Sequence, residues 1–267
     1  MMVSRLMLGK RFLLLLGFMA TTAYATSQPA DNNPVFIKST PSFLSHLPSL
    51  HDLRHGYTVV QLGGYWGTAG EEQNLNIRYL LGNHYTLTSK TSSNGLFGLG
   101  YYVNGLDRDG FHLDYGINGF FLANTRVGGQ IVQEQRFTNL NYRYAIQHIP
   151  VFFAAKALLK HQSNQYNITF DAGIGPNVMK VNQYQEKPLN DFTIPDNGFS
   201  SHTQATFAAM AGLGVRINHV FGEAPLECGY RFFYLGQGQL QRNNNQLLNT
   251  LKTGNAFGNA LLCSITV

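Results

Sequence analysis

The chain has 267 residues, of which only 12% are charged, and carries a formal charge of +5 together with 28 Gly, 14 Tyr and 19 Phe. Ordinary soluble domains carry roughly 25% charged residues, so this composition argues against a conventional soluble enzyme. Three of the bases, Arg5, Lys10 and Arg11, fall in the first 25 residues with no acid beside them; +5 less three leaves +2, and the charge argument for a nucleic-acid partner goes with them.

The N-terminus reads as an export signal. Arg5, Lys10 and Arg11 form a basic region, Phe12 to Ala20 an apolar core, and Ala23-Tyr24-Ala25 a small-residue cleavage site. The mature chain then starts at Thr26 and keeps 242 of the 267 residues, the other 25 being the signal. Thr26 to His55 is a leader of different character, broken by Pro29, Pro34, Pro41 and Pro48 and expected to be loosely ordered. It holds His46, His51 and His55, but no Cys or carboxylate stands at a metal-ligand spacing, so neither a metal nor a cofactor is expected. Beyond the signal no apolar run approaches the roughly 18 residues of a membrane helix.

From Gly56 onward the period is two. Strands are expected at 57–67, 94–105, 111–124, 140–159, 166–181, 204–217, 226–240 and 255–267. The third is the clearest: Phe111, Leu113, Tyr115, Ile117, Gly119, Phe121 and Ala123 alternate with His112, Asp114, Gly116 and Asn118, and the pattern relaxes at Phe120 and Leu122. Side chains of a strand alternate between faces, so the segment has one apolar and one small or polar face. In the fourth strand the phase is open near Tyr144, and Pro150 predicts a bulge or a local loss of pairing. The links alternate strictly. Those at 106–110, 160–165 and 218–225 are short, whereas those at 68–93, 125–139, 182–203 and 241–254 are long. The predicted fold is all-β, an eight-stranded antiparallel up-and-down transmembrane barrel over 56–267, with short periplasmic turns, four long outer loops and both termini on the periplasmic side.

Two features choose a membrane barrel over a soluble one. Gly98, Gly100, Gly173, Gly175, Gly212 and Gly214 cluster on the polar face, which suits a crowded lumen and would leave gaps in an apolar core. Aromatics recur near strand ends (Tyr65, Trp66, Phe111, Tyr166, Tyr234), as interfacial girdles require. On these residues the chain resembles the small outer-membrane β-barrels of Gram-negative bacteria, the group holding the OmpA transmembrane domain, OmpX and OmpW. The resemblance covers about Gly56 to Val267 and rests on architecture. It implies a bacterial outer-membrane location after export. It also implies outer-membrane lipid, lipopolysaccharide and the outer-membrane assembly machinery as partners; a surface partner is left unknown, and the charge balance gives no nucleic acid. The group commonly ends in an aromatic residue that the assembly machinery reads, whereas this chain ends in Val267. No further domain is expected after the last strand.

Chemistry-bearing residues are few. The inward set contains Asp114, Asp171 and Glu227 against Lys156, Arg216 and Arg231, expected to pair as a charged plug because isolated charges in a narrow barrel are costly to desolvate. Cys228 and Cys263 fall on the apolar face of neighbouring strands. They are read as two small lipid-facing side chains, with a disulfide as the alternative. Ser200, Ser201 and His202, near Asp191 and Asp196, are the one grouping with hydrolase residue types, but they lie in a loop and match no enzyme motif, while His112 and His148 read as residues packed in the barrel wall. The expectation is therefore a non-enzymatic barrel that presents its loops for envelope support or surface interaction. The alternatives are an OmpW-like conduit for small hydrophobic molecules and, behind it, an envelope-lipid enzyme.

Overall fold

Eight long strands close on themselves in a computed structural model that describes residues 56–160, 165–222 and 224–267. The signal at 1–25 and the leader at 26–55 lie outside the described residues. The strands are β1 (Tyr57–Thr68), β2 (Thr91–Arg108), β3 (Phe111–Gln133), β4 (Phe137–Lys160), β5 (Tyr166–Pro188), β6 (His202–Phe221), β7 (Ala224–Gln239) and β8 (Lys252–Thr266). Each pairs antiparallel with its neighbours in sequence. Closure comes from the β1–β8 ladder, which runs from Val59↔Thr266 to Thr68↔Phe257. Both ends of the barrel chain therefore sit at the short-turn end.

The side-chain alternation sorts residues as the period-two pattern predicts. Leu62, Leu99, Ile117, Val151, Phe153, Ile168, Phe170, Ile174, Leu213 and Leu261 are exposed on the outer wall, while Gln61, Asn118, Phe152, Asp171 and Arg231 are buried inside. A belt of large apolar side chains facing outward cannot be a soluble surface of ordinary kind; it is the face a barrel turns to lipid. Among the described residues, no helix is long and apolar enough to cross a membrane.

The barrel departs from the expected outline above the belt. A membrane-crossing strand needs roughly 9–11 residues, whereas β3, β4 and β5 have 23, 24 and 23. The stretch 125–139, expected as a loop, is mostly an extension of the β3–β4 hairpin, and β5 likewise takes in 182–188 of the expected third loop. Short strands from the first loop, Gln73–Leu75 and Asn83–Tyr85, add to the free edge of the extended β3. Phe199–Ser200 pairs with Gln241–Arg242, and Ile77 bridges Leu247, so three of the long links are hydrogen-bonded to one another.

Irregularities explain where alternation fails. Around Pro150 the ladders lose pairs on both sides: β3–β4 skips from Gly119↔Val151 to Leu122↔His148, and β4–β5 from Pro150↔Asn177 to Phe153↔Ile174. Proline has no N–H to give the ladder. The phase at Tyr144 is unbroken on β4. The flips fall on its neighbours, where one extra residue is inserted at 123–124 of β3 and at 183–184 of β5; Gln183 there has φ 57°. Tyr65 is not a girdle residue. It shares its inward face with Val59 and Gln61, is 1% exposed, and gives its hydroxyl to the Ala123 carbonyl within hydrogen-bonding distance of Thr125 Oγ1 (2.8 Å).

Candidate functional site

The lumen is filled in layers, beginning at the short-turn mouth. There Asp114 is buried and accepts the Tyr57 hydroxyl at 2.6 Å, with His112 Nε2 2.7 Å from its other oxygen. His112 Nδ1 lies 3.6 Å from Asp107, which in turn takes Lys160 Nζ at 2.6 Å. Arg216 and Asn167 border the same recess.

The next layer is the charge network. Lys156, 2% exposed, donates to both Glu227 oxygens at 2.9 and 2.8 Å and stands 3.7 Å from Asp171. Arg231, also 2% exposed, donates to Asp171 at 2.8 Å and to Gln61 Oε1. Gln61 passes a bond on to Asn118 (2.7 Å), and Asn118 to the Tyr102 hydroxyl (3.0 Å). Two cations and two carboxylates thus balance within one buried layer. The expected set of six is divided: Lys156, Asp171, Glu227 and Arg231 meet, while Asp114 and Arg216 stay at the mouth. Gln61, Asn118 and Tyr102 belong to the network although no charge marks them in the sequence; their only signal is inward parity.

Aromatic packing closes the barrel above the charges. Phe120, Phe152 and Phe233 meet with ring centroids 6.1, 5.1 and 6.1 Å apart. Arg231 lies 5.5 Å from the Phe120 ring, so the two layers touch. Inward glycines make this crowding feasible: a Cβ on Gly98 would stand 2.7 Å from Phe120, and one on Gly212 2.7 Å from Arg231 Cγ. The apolar interior at this level departs from the expected polar lumen, and it accounts for the relaxed alternation at Phe120 and Leu122.

A thin polar layer follows, where Asn177 contacts His148 Nδ1 (3.1 Å), Thr206 (3.2 Å) and the Leu235 carbonyl (2.7 Å). Over it the long links pack a second core, with Tyr85 against Tyr142 and Phe199, and Tyr184 against Phe199. Glu186 anchors this core. Its carboxylate accepts the Tyr184 hydroxyl at 2.5 Å and the backbone N–H groups of Asp196 (3.2 Å) and Asn197 (3.1 Å), fixing the third link to the wall.

The hydrolase residue types are not assembled. Ser200 lies in the short strand paired to Gln241, His202 opens β6 beside Leu240 and Arg242, and Asp196 accepts from Asn244 at 3.0 Å. Among the described residues no hydrogen bond joins either serine to His202, or His202 to Asp191 or Asp196. No group of His, Cys, Asp and Glu among them is placed to hold a metal ion. Cys228 and Cys263 are joined, rather than being two free side chains: the β7–β8 register sets them directly opposite, Cα atoms 4.0 Å apart, with a disulfide on the outer wall.

Closure through eight antiparallel strands, an outward apolar belt and a packed interior define an outer-membrane β-barrel of the small type. No protein-family description and no curated protein matches the sequence. Among solved structures the fold is similar to Neisserial surface protein A, at 15% identity over 79% of this chain and 96% of that one, with a TM-score of 0.37. It is also similar to outer membrane protein OprG of Pseudomonas aeruginosa, at 13% identity over 79% and 96%, TM-score 0.42. A third is the outer membrane protease OmpT of Escherichia coli, at 8% identity over 79% and 94%, TM-score 0.42. At such identities the likeness concerns the fold alone.

Proposed function

We propose that this barrel is a non-enzymatic, non-conducting scaffold whose long-loop end faces outward and carries a contact surface for other molecules or cells. The observation that supports it is a contrast within the links. Their bases are pinned by Glu186, the 199–200/241–242 pairing and the outer core, yet their tips offer large apolar side chains to solvent: Tyr79 is 95% exposed, Phe192 94% and Ile194 88%. Apolar side chains held at the rim of a rigid frame are what a binding surface supplies, since little ordering entropy remains to be lost on contact. Lumen-based chemistry or transport finds less support, because the inward side chains fill the bore and the serine–histidine grouping is apart.

Two measurements test this reading. A protease added to intact cells should cut within 189–196 and leave the turn at Asp109 and Gly110 untouched; cleavage confined to the short turns reverses the orientation. Bacteria displaying the protein should adhere to epithelial monolayers or hydrocarbon droplets more than cells without it. The triple variant Tyr79→Ser, Phe192→Ser, Ile194→Ser, at equal surface amount, should lose most of that gain. Equal adhesion by wild type and variant contradicts a contact role for the tips.

A further inference from the structure

The outer wall above the belt carries a basic groove, apart from the lumen and the loop tips. Past the β3 bulge, Arg126 points outward beside the ladder pair Gly128↔Arg143, so the two arginines are diagonal neighbours on adjacent strands. Such neighbours stand about 7–8 Å apart at Cα, within reach of long side chains. Gly128 between them carries no side chain, and the groove they flank, with Ser89, Gln183 and Gln185, has a volume of about 550 Å³. No carboxylate lines it. Arg143 gives Nε and Nη2 to Gln185 Oε1 at 3.0 and 2.6 Å, so a neutral amide fixes the guanidinium without cancelling its charge. The ion pairs among the described residues involve neither arginine. Lys180 adds a third exposed cation on β5, two residues beyond the belt residue Val178.

The height of the groove says what it meets. Arg126 pairs opposite Ala145, four residues beyond the exposed belt residue Ile149 on β4. At about 3.3 Å per residue and a tilt of roughly 35–45°, that is on the order of 10 Å above the last apolar side chains, and Lys180 is lower. This is the zone of lipid headgroups and the sugars attached to them. Guanidinium forks bind phosphate bidentately and keep their charge at every physiological pH.

We infer that Arg126 and Arg143 form a binding site for phosphate groups on the headgroup of the outer-leaflet glycolipid. The assignment rests on the proposed orientation, which puts the long-loop end in that leaflet. A glycolipid phosphate seated there would fix the barrel's depth and couple the extended β3–β5 wall to the lipid layer.

The test uses the full-length mature barrel folded in detergent micelles, where binding does not depend on orientation in a cell. Affinity is read by native mass spectrometry and by the thermal midpoint of the folded band. Wild type should bind a bisphosphorylated lipopolysaccharide core at least tenfold more tightly than the same glycolipid dephosphorylated. Arg126→Gln/Arg143→Gln should lose about that factor. Arg126→Gln alone, which breaks none of the described side-chain hydrogen bonds, should lose part of it, and Arg136→Gln at the hairpin tip should bind as wild type. Equal binding of phosphorylated and dephosphorylated glycolipid, or undiminished binding by the double variant, overturns the site. Inorganic phosphate that reproduces the full thermal shift at the same concentration overturns the lipid assignment. Wrong orientation is a separate failure, read from protease cutting on cells.

Discussion

Truncating Arg231 to alanine is expected to lower the unfolding free energy of the barrel by about 3–5 kcal/mol, the cost of leaving a buried charge uncompensated. The loss is large because Arg231 serves two partners at once. Asp171 keeps only the 3.7 Å contact to Lys156, Gln61 loses its donor, and the Phe120 ring loses the cation above it. The double variant Arg231→Met/Asp171→Leu should be far milder. It removes both members of one pair and leaves Lys156 and Glu227 intact at 2.8 Å, and well-packed apolar replacements of a buried pair are often neutral. Urea unfolding in micelles, followed by the mobility difference between folded and unfolded bands, measures both. A single-variant loss no larger than that of an ordinary surface change, about 0.5 kcal/mol, would mean that the layer is wet.

A charge on the outer wall should have a depth-dependent effect of similar size. Ile117, 52% exposed, lies midway along the belt segment of β3 and pairs with Phe153 on β4. Ile117→Arg should destabilise by roughly 2–4 kcal/mol, the range for a cation at the bilayer midplane. Leu113 belongs to the same face, but it stands three residues from the Gly110 turn and pairs with Ala157. Leu113→Arg should therefore cost only about 0–1 kcal/mol, as near an interface. Equal effects at the two positions would contradict the depth assignment, and no effect at Ile117 would contradict the lipid face itself.

The belt-spanning part of each strand was legible because lipid on one side and a packed bore on the other impose opposite demands on alternate residues. The wall above the belt was not. From Thr125 to Gln133 the outer face lies above the apolar belt, so Arg126, Gly128 and Gln130 replace the apolar half of the pattern, and the bulge at 123–124 inverts what remains. The segment then reads as a loop although it is a strand. The pairing of Phe199–Ser200 with Gln241–Arg242 joins short polar stretches far apart in sequence, which no local period reports.

The interior was legible in kind and less so in partnership. Inward parity picked out Lys156, Asp171, Glu227 and Arg231, but parity alone does not say which inward side chains meet across a staggered, closed barrel. Asp114 and Lys156 are partners in the β3–β4 register, yet the Lys156 ammonium crosses the bore to Glu227 on β7, and Asp114 instead accepts the Tyr57 hydroxyl and lies beside His112. Phe120, Phe152 and Phe233 escaped for a different reason. An apolar residue on the nominally polar face looks like noise in an alternation pattern, whereas three such residues at one level make a layer.

The packed layers run from the Asp114 recess to the outer core around Tyr85, Tyr142 and Phe199. Planar-bilayer recording of the wild-type monomer tests the closed bore most directly. The packed layers predict a baseline without stable openings. A large, steady ionic conductance from the purified monomer would contradict the closed bore and give the barrel a conduit's role.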